Sequence, residues 1–218
     1  SDTFDPGKSL YPDVFPIRKE VRKPARMGTH VGYYCIDIYS PINRNAFLAA
    51  RNAVDCALTG ASSLLYGSRR SYALVRPPGH HAGAAYAGGF CYLNSTAIAA
   101  NFLCKFGNVA VLDIDYHHGD GQQEIFYERS DVLTVSIHAS PEFEYPYFSG
   151  YADETGIGPG AGYNINYPLK RGIGGFEYMK YLRRAISYIR NYGPKFLVVA
   201  FGLDTAKGDP TGTWPVSY

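Results

Sequence analysis

The 218-residue chain has only four cysteines, Cys35, Cys56, Cys91 and Cys104, and no Cys-x-x-Cys pair among them. That scatter argues against a thiolate metal site and points to reduced, mostly buried thiols. No apolar run approaches the roughly 20 residues of a membrane span, so a membrane partner is not expected. A formal charge of +2 is too small to imply a nucleic-acid partner. The short basic run Arg18, Lys19, Arg22, Lys23 and Arg26 reads as solvated surface. Residues 1–9 carry neither a basic leader nor an apolar stretch, which makes a cytoplasmic location the expectation.

What is present is globular: 46% hydrophobic and 18% charged residues, with no composition break that would mark a linker. One domain over 1–218 is expected, with a loop-rich, irregular segment over 1–43. Beyond it, apolar residues at helical spacing predict a helix from Asn45 to about Leu58, with Gly60 as its stop. A strand is predicted over Ser71–Val75, a helix over Asn94–Lys105, and strands over Val109–Ile114 and Val132–His138. A longer helix over Phe176–Asn191 and a strand over Phe196–Phe201 complete the pattern. Apolar strands alternating with helices predict an α/β fold, a parallel sheet covered by helices on both faces. In such sheets ligands sit beyond the carboxyl ends of the strands.

The chemistry-bearing residues fall there. Val109 to Gly121 reads Val-Ala-Val-Leu-Asp-Ile-Asp-Tyr-His-His-Gly-Asp-Gly, a strand ending in a burst of carboxylates and imidazoles. Asp115 and His117 are two apart and point the same way on extended backbone. With Asp204 from another strand end they make three metal ligands, the number a catalytic zinc site uses while keeping one position open. Zinc would acidify a water and polarise a carbonyl, so hydrolysis follows. His80 and His81, on the Arg-Pro-Pro-Gly-His-His loop, are the available general bases, paired here with Asp113 and Asp120 respectively. Gly7-Lys-Ser9 is a turn, because Asp2 stands where a phosphate loop needs its first glycine. Asn94-Ser-Thr96 is better explained by helix capping than by glycosylation.

Four segments carry a family resemblance. They are Arg76-Pro-Pro-Gly-His-His-Ala82, Gly88-Gly-Phe-Cys-Tyr-Leu-Asn94, Leu112-Asp-Ile-Asp-Tyr-His-His-Gly-Asp-Gly121 and Gly202-Leu-Asp-Thr-Ala-Lys-Gly-Asp-Pro210. In this order they resemble the histone deacetylase superfamily. Gly32-Tyr-Tyr-Cys35, Ile125-Phe-Tyr-Glu-Arg129 and Gly150-Tyr-Ala-Asp-Glu-Thr-Gly156 are more similar to its bacterial acetylpolyamine amidohydrolases than to the eukaryotic enzymes.

The resemblance implies the arginase-deacetylase fold and zinc-dependent removal of an acyl group from a primary amine. Its zinc ligands fall on Asp115, His117 and Asp204, and its tandem histidines on His80 and His81, with His81 the general base. It also implies Phe90 and Phe148 flanking a narrow substrate tunnel, with Gly89 near the scissile amide. A potassium ion is implied at the carbonyls of Asp113, Asp115, His117 and Ile137 and the side chain of Ser136. A second monovalent site is implied around Phe126, Arg129 and Val132.

The substrate is then a small acylated amine or an acetyl-lysine side chain. Glu142, Glu144, Asp153 and Glu154 are carboxylates expected near the tunnel mouth, where they either favour a cationic amine or are solvated loop charge. The family's downstream Gly-Gly-Tyr segment has no counterpart before Tyr218, 14 positions after Asp204, which implies a piece of a longer product. A non-catalytic acylamine-binding module is the alternative from another class, and a binuclear ureohydrolase the alternative of the same fold class. Uncovered sheet edges would favour a homo-oligomer.

Overall fold

In a computed structural model, residues 5, 7–16 and 22–216 are described; Arg18 and Lys19 of the basic run lie outside the described residues. The chain forms two compact units, Ser1–Ser95 and Thr96–Tyr218.

The first unit holds helices α1 (Met27–Gly32) and α2 (Ala46–Leu65). Helix α1 falls inside the segment read as irregular, where a six-residue element is too short to display a period. The Asn43 carboxamide oxygen accepts the Asn45 N–H at 2.9 Å and turns the chain into α2. Buried Ala50, Ala53, Val54 and Ala61 form the packed stripe of α2. The expected stop at Gly60 is overturned, since α2 runs through it to Leu65. Gly60 is there for proximity: a Cβ would lie 2.7 Å from the Ser71 hydroxyl oxygen.

The strand expected over Ser71–Val75 is also overturned, because that segment joins no ladder among the described residues. Its Leu74 is 83% exposed. A strand needs a neighbour to complete its N–H and C=O pairing, and residue propensity cannot supply one. The four cysteines are thiols, but Cys91 alone is buried and Cys56 is exposed. Burial first, then the Asp37 charge, pushes the Cys35 thiol up to about 11.

Helix α3 (Ser95–Leu103) is followed by strand β1 (Val109–Asp113), helix α4 (Asp120–Phe126) and strand β2 (Val132–Ala139). Strand β3 (Asn164–Leu169), helix α5 (Gly175–Tyr192) and strand β4 (Phe196–Ala200) complete the second unit. The strands form one sheet in the order β3-β2-β1-β4, parallel at every pairing.

Both faces of β1 and β2 are covered, by different chemistry. Leu133, Val135, Ile137 and Ala139 of β2 join Ala110 and Leu112 of β1 in one apolar cluster with Tyr178, Ala185 and Ile189 of α5. The alternate residues Thr134, Ser136 and His138 point the other way, yet β2 is buried along its whole length. Register lines Asp113, Ser136 and Asn166 in one row and Val111, Thr134 and Asn164 in the next. Helix α4 lies on this polar side, where Gln122 donates to Asp113 and Gln123 accepts from Asn164 and Asn166.

Helix α5 ends where Gly193 adopts φ 64°, its N–H reaching the carbonyls of Ile189 and Arg190. Strand β4 closes the sheet, with Leu197, Val199, Phe201 and Leu203 exposed along and beyond it. No helix among the described residues is long and apolar enough to cross a membrane.

This division predicts unequal mutational costs. Ile137→Ala, in the fully buried apolar layer, should lose about 2–5 kcal/mol in a urea titration. Leu197→Ala on the open edge should change stability by about 0.5 kcal/mol or less.

Candidate metal centre

Strands β1 and β4 are parallel neighbours with Asp113 opposite Ala200, so the segments leaving them run side by side. The Ile114 N–H still bonds the Ala200 carbonyl at 3.0 Å, holding the two segments together past the last ladder pair. Asp115 and His117 lie on one segment and Asp204 on the other. Each carboxylate is fixed by a backbone donor. Asp113 accepts the Asp115 N–H at 3.0 Å, Asp115 the His117 N–H at 2.9 Å, and Asp204 the Tyr116 N–H at 2.8 Å.

The second oxygen of Asp204 then lies 2.9 Å from His117 Nδ1, and Asp115 Oδ1 lies 3.3 Å from the same atom. One donor atom from each of Asp115, His117 and Asp204 falls within 4.8 Å of the others. Two carboxylate oxygens and one imidazole nitrogen at that spacing suit a borderline divalent ion such as zinc. Gly202 is required here, because a Cβ would sit 2.1 Å from Asp115 Oδ2.

Burial works against a charged imidazole at His117, but the hydrogen bonds it donates to both carboxylates, together with their charges, outweigh it and push the group up to about 9. Burial, helped by the Asp115 charge, raises Asp204 above the usual carboxylate range despite its bond to His117. The two carboxylates thus favour a protonated imidazole at His117.

Tyr116, between two of the three ligands, was not anticipated. Its ring is fully buried edge-on between His117 and Trp214, at 5.0 and 4.8 Å. Its hydroxyl lies 2.7 Å from Thr213 Oγ1 and donates to Glu144 at 3.3 Å. Glu144 is thus engaged inside the unit, as is Glu154, whereas Glu142 and Asp153 are exposed. Of the four carboxylates expected at a tunnel mouth, Glu144 and Glu154 are thus half-buried and hydrogen-bonded, and Glu142 and Asp153 are open to solvent.

The other expected residues divide between the units. In the first, His80 and His81 are buried, with ring centroids 4.0 Å apart. Gly89 donates its N–H to Asp37 at 2.7 Å, and Phe90 follows at φ 68°, a strained value for an aromatic residue, with 55% of it exposed.

In the second unit, Asp113 is fully buried and takes Gln122 Nε2 at 2.7 Å, while buried Asp120 opens α4. Phe148 is 93% exposed, next to Tyr147 at φ 62°. Ser136 lies 2.7 Å from His138 Nδ1, and His138 Nε2 is 2.9 Å from the Gly150 carbonyl. A carbonyl only accepts, so the proton is on Nε2 and Ser136 donates to Nδ1. Ile137 is buried in the neighbouring apolar layer. Arg129 stacks on Phe126 and forms a forked pair with Asp131, whose carbonyl accepts the Val109 N–H just before Val132.

His118, Gln122, Gln123, Asn164 and Asn166 were missed as well. All five are buried, and the last two alternate along β3 on the polar side of the sheet. Asn-x-Asn inside a strand was the available signal, since a buried amide always needs partners.

Comparison with known proteins places the chain in context. The histone deacetylase domain family matches residues 17–218. The chain is similar to acetylpolyamine amidohydrolase 2 of Pseudomonas aeruginosa, 47% identical over 214 residues, covering 96% of this chain and 62% of that protein. It is also similar to the acetylpolyamine amidohydrolase of Mycoplana ramosa, 40% identical over 199 residues, covering 90% of this chain and 58% of the relative. Among solved structures, acetylpolyamine aminohydrolase from Burkholderia pseudomallei superposes with a TM-score of 0.88 at 40% identity, over 95% of this chain and 60% of that one. The chain thus spans about 60% of the length of these relatives, and it has the arginase-deacetylase fold.

The raised His117 group makes the metal-free centre pH-sensitive. Because its folded value lies above the ordinary 6.5, its stabilising contribution is full below pH 6.5 and lost as pH rises through about 9. The melting temperature of chelator-stripped protein should fall across that window, and His117→Asn should flatten the profile.

Proposed function

The chain belongs to the histone deacetylase domain family, and from that premise we propose that it is a zinc-dependent amidohydrolase acting on an acylated primary amine. The observation that carries the reading is the donor set of Asp115, His117 and Asp204 at two adjacent strand ends. It offers one nitrogen and two oxygens to a single ion, and among the described residues it is one such group, where a binuclear ureohydrolase needs two. Zinc, when bound, supplies Lewis acidity that polarises the amide carbonyl and brings a water toward ionisation at neutral pH.

The chain's own groups do the rest. His117 gives up its proton to become a ligand, so binding is favoured as pH rises toward 9. His81 is the general base that takes a proton from the attacking water at an imidazole nitrogen, and with His80 it returns one to the departing amine. Asp113 and Asp120 are the carboxylates proposed to orient that pair. Phe90 and Phe148, both exposed aromatic rings on strained turns, are proposed as walls for the substrate's methylene stem, with Gly89 near its amide.

Potassium is proposed at the row end where Asp113 lies opposite Ser136, with the carbonyls of Asp115, His117 and Ile137. Phe126, Arg129 and Val132 are proposed for a second monovalent ion. An acetylpolyamine is the favoured substrate class and acetyl-lysine the second, in keeping with the names of the similar proteins from Pseudomonas aeruginosa and Mycoplana ramosa. The exposed apolar residues of β4 favour self-association.

The test is hydrolysis of N-acetylputrescine and of a fluorogenic acetyl-lysine by zinc-loaded protein, with a chelated sample as control. Turnover should depend on zinc. His81→Ala should retain the metal and lose about two to four powers of ten in kcat, whereas Asp204→Ala should lose the metal too. Zinc bound without turnover on either substrate would favour an acylamine-binding module. Equal zinc retention in both variants would refute the assignment of ligands.

A further inference from the structure

The loop that carries Phe148 is fastened from beneath by a buried polar network that no metal or substrate role requires. Gln123, on α4, uses all of its amide. Its oxygen accepts from Asn164 and Asn166 at 2.8 and 2.7 Å, and its nitrogen donates to Glu154 at 2.5 Å and to Ser149 at 3.1 Å. Glu154 Oε2 also accepts the Gly150 N–H at 2.9 Å and lies 3.5 Å from the Ser149 hydroxyl.

The other side of the same turn is equally tied. Gly150 gives its carbonyl to His138 and sits at φ 112°, where a Cβ would lie 2.7 Å from His138 Nε2 and 2.8 Å from His118 Cγ. Asn166 donates to the Tyr151 carbonyl at 3.1 Å, and Asn164 to the Glu154 carbonyl at 2.6 Å. Residues 149–151 are therefore held to α4, β2 and β3 at once, and the exposed Phe148 ring projects from the residue immediately before them.

We propose that Glu154 is a positioning residue: through Gln123 and the Gly150 amide it sets where Phe148 stands, and so sets substrate affinity, without meeting the substrate. This rests on the reading of Phe148 as a wall of the substrate channel. It replaces the role expected for Glu154 as a mouth charge that attracts a cationic amine. The carboxylate's accepting oxygen is committed to internal donors, and a neutral amide in its place would turn an NH2 group or a weaker acceptor toward them.

Two readouts decide it, and one needs no turnover. In Glu154→Gln, amide hydrogen exchange over 149–151 should speed up roughly tenfold or more while β1 and β2 stay protected. KM for N-acetylputrescine should rise roughly tenfold with kcat within about twofold, and by the same factor for the uncharged analogue N-pentylacetamide.

Phe148→Ala, a change at an exposed side chain that leaves the network intact, should raise KM alike and abolish any further effect of Glu154→Gln in the double variant. Unchanged exchange, full additivity with Phe148→Ala, or a KM effect confined to the cationic substrate and erased by salt would overturn the proposal. A chain inactive on every acylated amine would instead sink the functional reading, with the exchange result still deciding whether Glu154 holds the loop.

Discussion

A carboxylate taken out of water must find a donor for its oxygens, and the C-terminal end of this sheet removes several from water within a few residues. Asp113, Asp115 and Asp204 meet the requirement with backbone amides of the turn that follows β1. The turn cannot take another shape without stranding one of them. Gly202 leaves room for Asp115, and Tyr116 braces the turn from the core by its buried ring. The carboxylate edges that remain converge on His117, which is how a set of hydrogen bonds becomes a candidate cation site.

The sheet separates this task from stability. Strand β2 is buried on both sides, but its odd-numbered residues from Leu133 to Ala139 face α5 in an apolar layer, while Thr134, Ser136 and His138 face α4 in a hydrogen-bonded one. Dispersion and the hydrophobic effect hold the first layer and tolerate shape-conserving change. The second is built on directional hydrogen bonds, so it transmits position: Gln123 links the helix that follows the candidate metal motif to the turn below Phe148.

Much of the fold was legible because its signals are local. The apolar period of α5 places that helix within a residue of expectation, and β1, β2 and β4 follow from their apolar content. The failures share one cause. Ser71–Val75 has the residues of a strand without a ladder, Gly60 is a close approach rather than a stop, and the Thr-x-Ser-x-His alternation of β2 is hidden inside a buried strand. In each case the deciding partner is distant in sequence.

The same boundary runs through the site. Sequence alone picked out the three residues that gather as a candidate cation site, because Asp115 and His117 are two apart on extended backbone and Asp204 follows a strand of the same kind. It also determined the family, through motifs whose order survives without coordinates. Tertiary structure decided what each remaining polar group does. Glu144 and Glu154 carry the same charge as Glu142 and Asp153, yet the first two are engaged by Tyr116, Gln123 and Gly150 while the others face solvent. Charge is a property of the residue, whereas donors such as Tyr116 for Glu144 and Gln123 for Glu154, 28 and 31 residues away, become a carboxylate's neighbours only when the sheet is assembled.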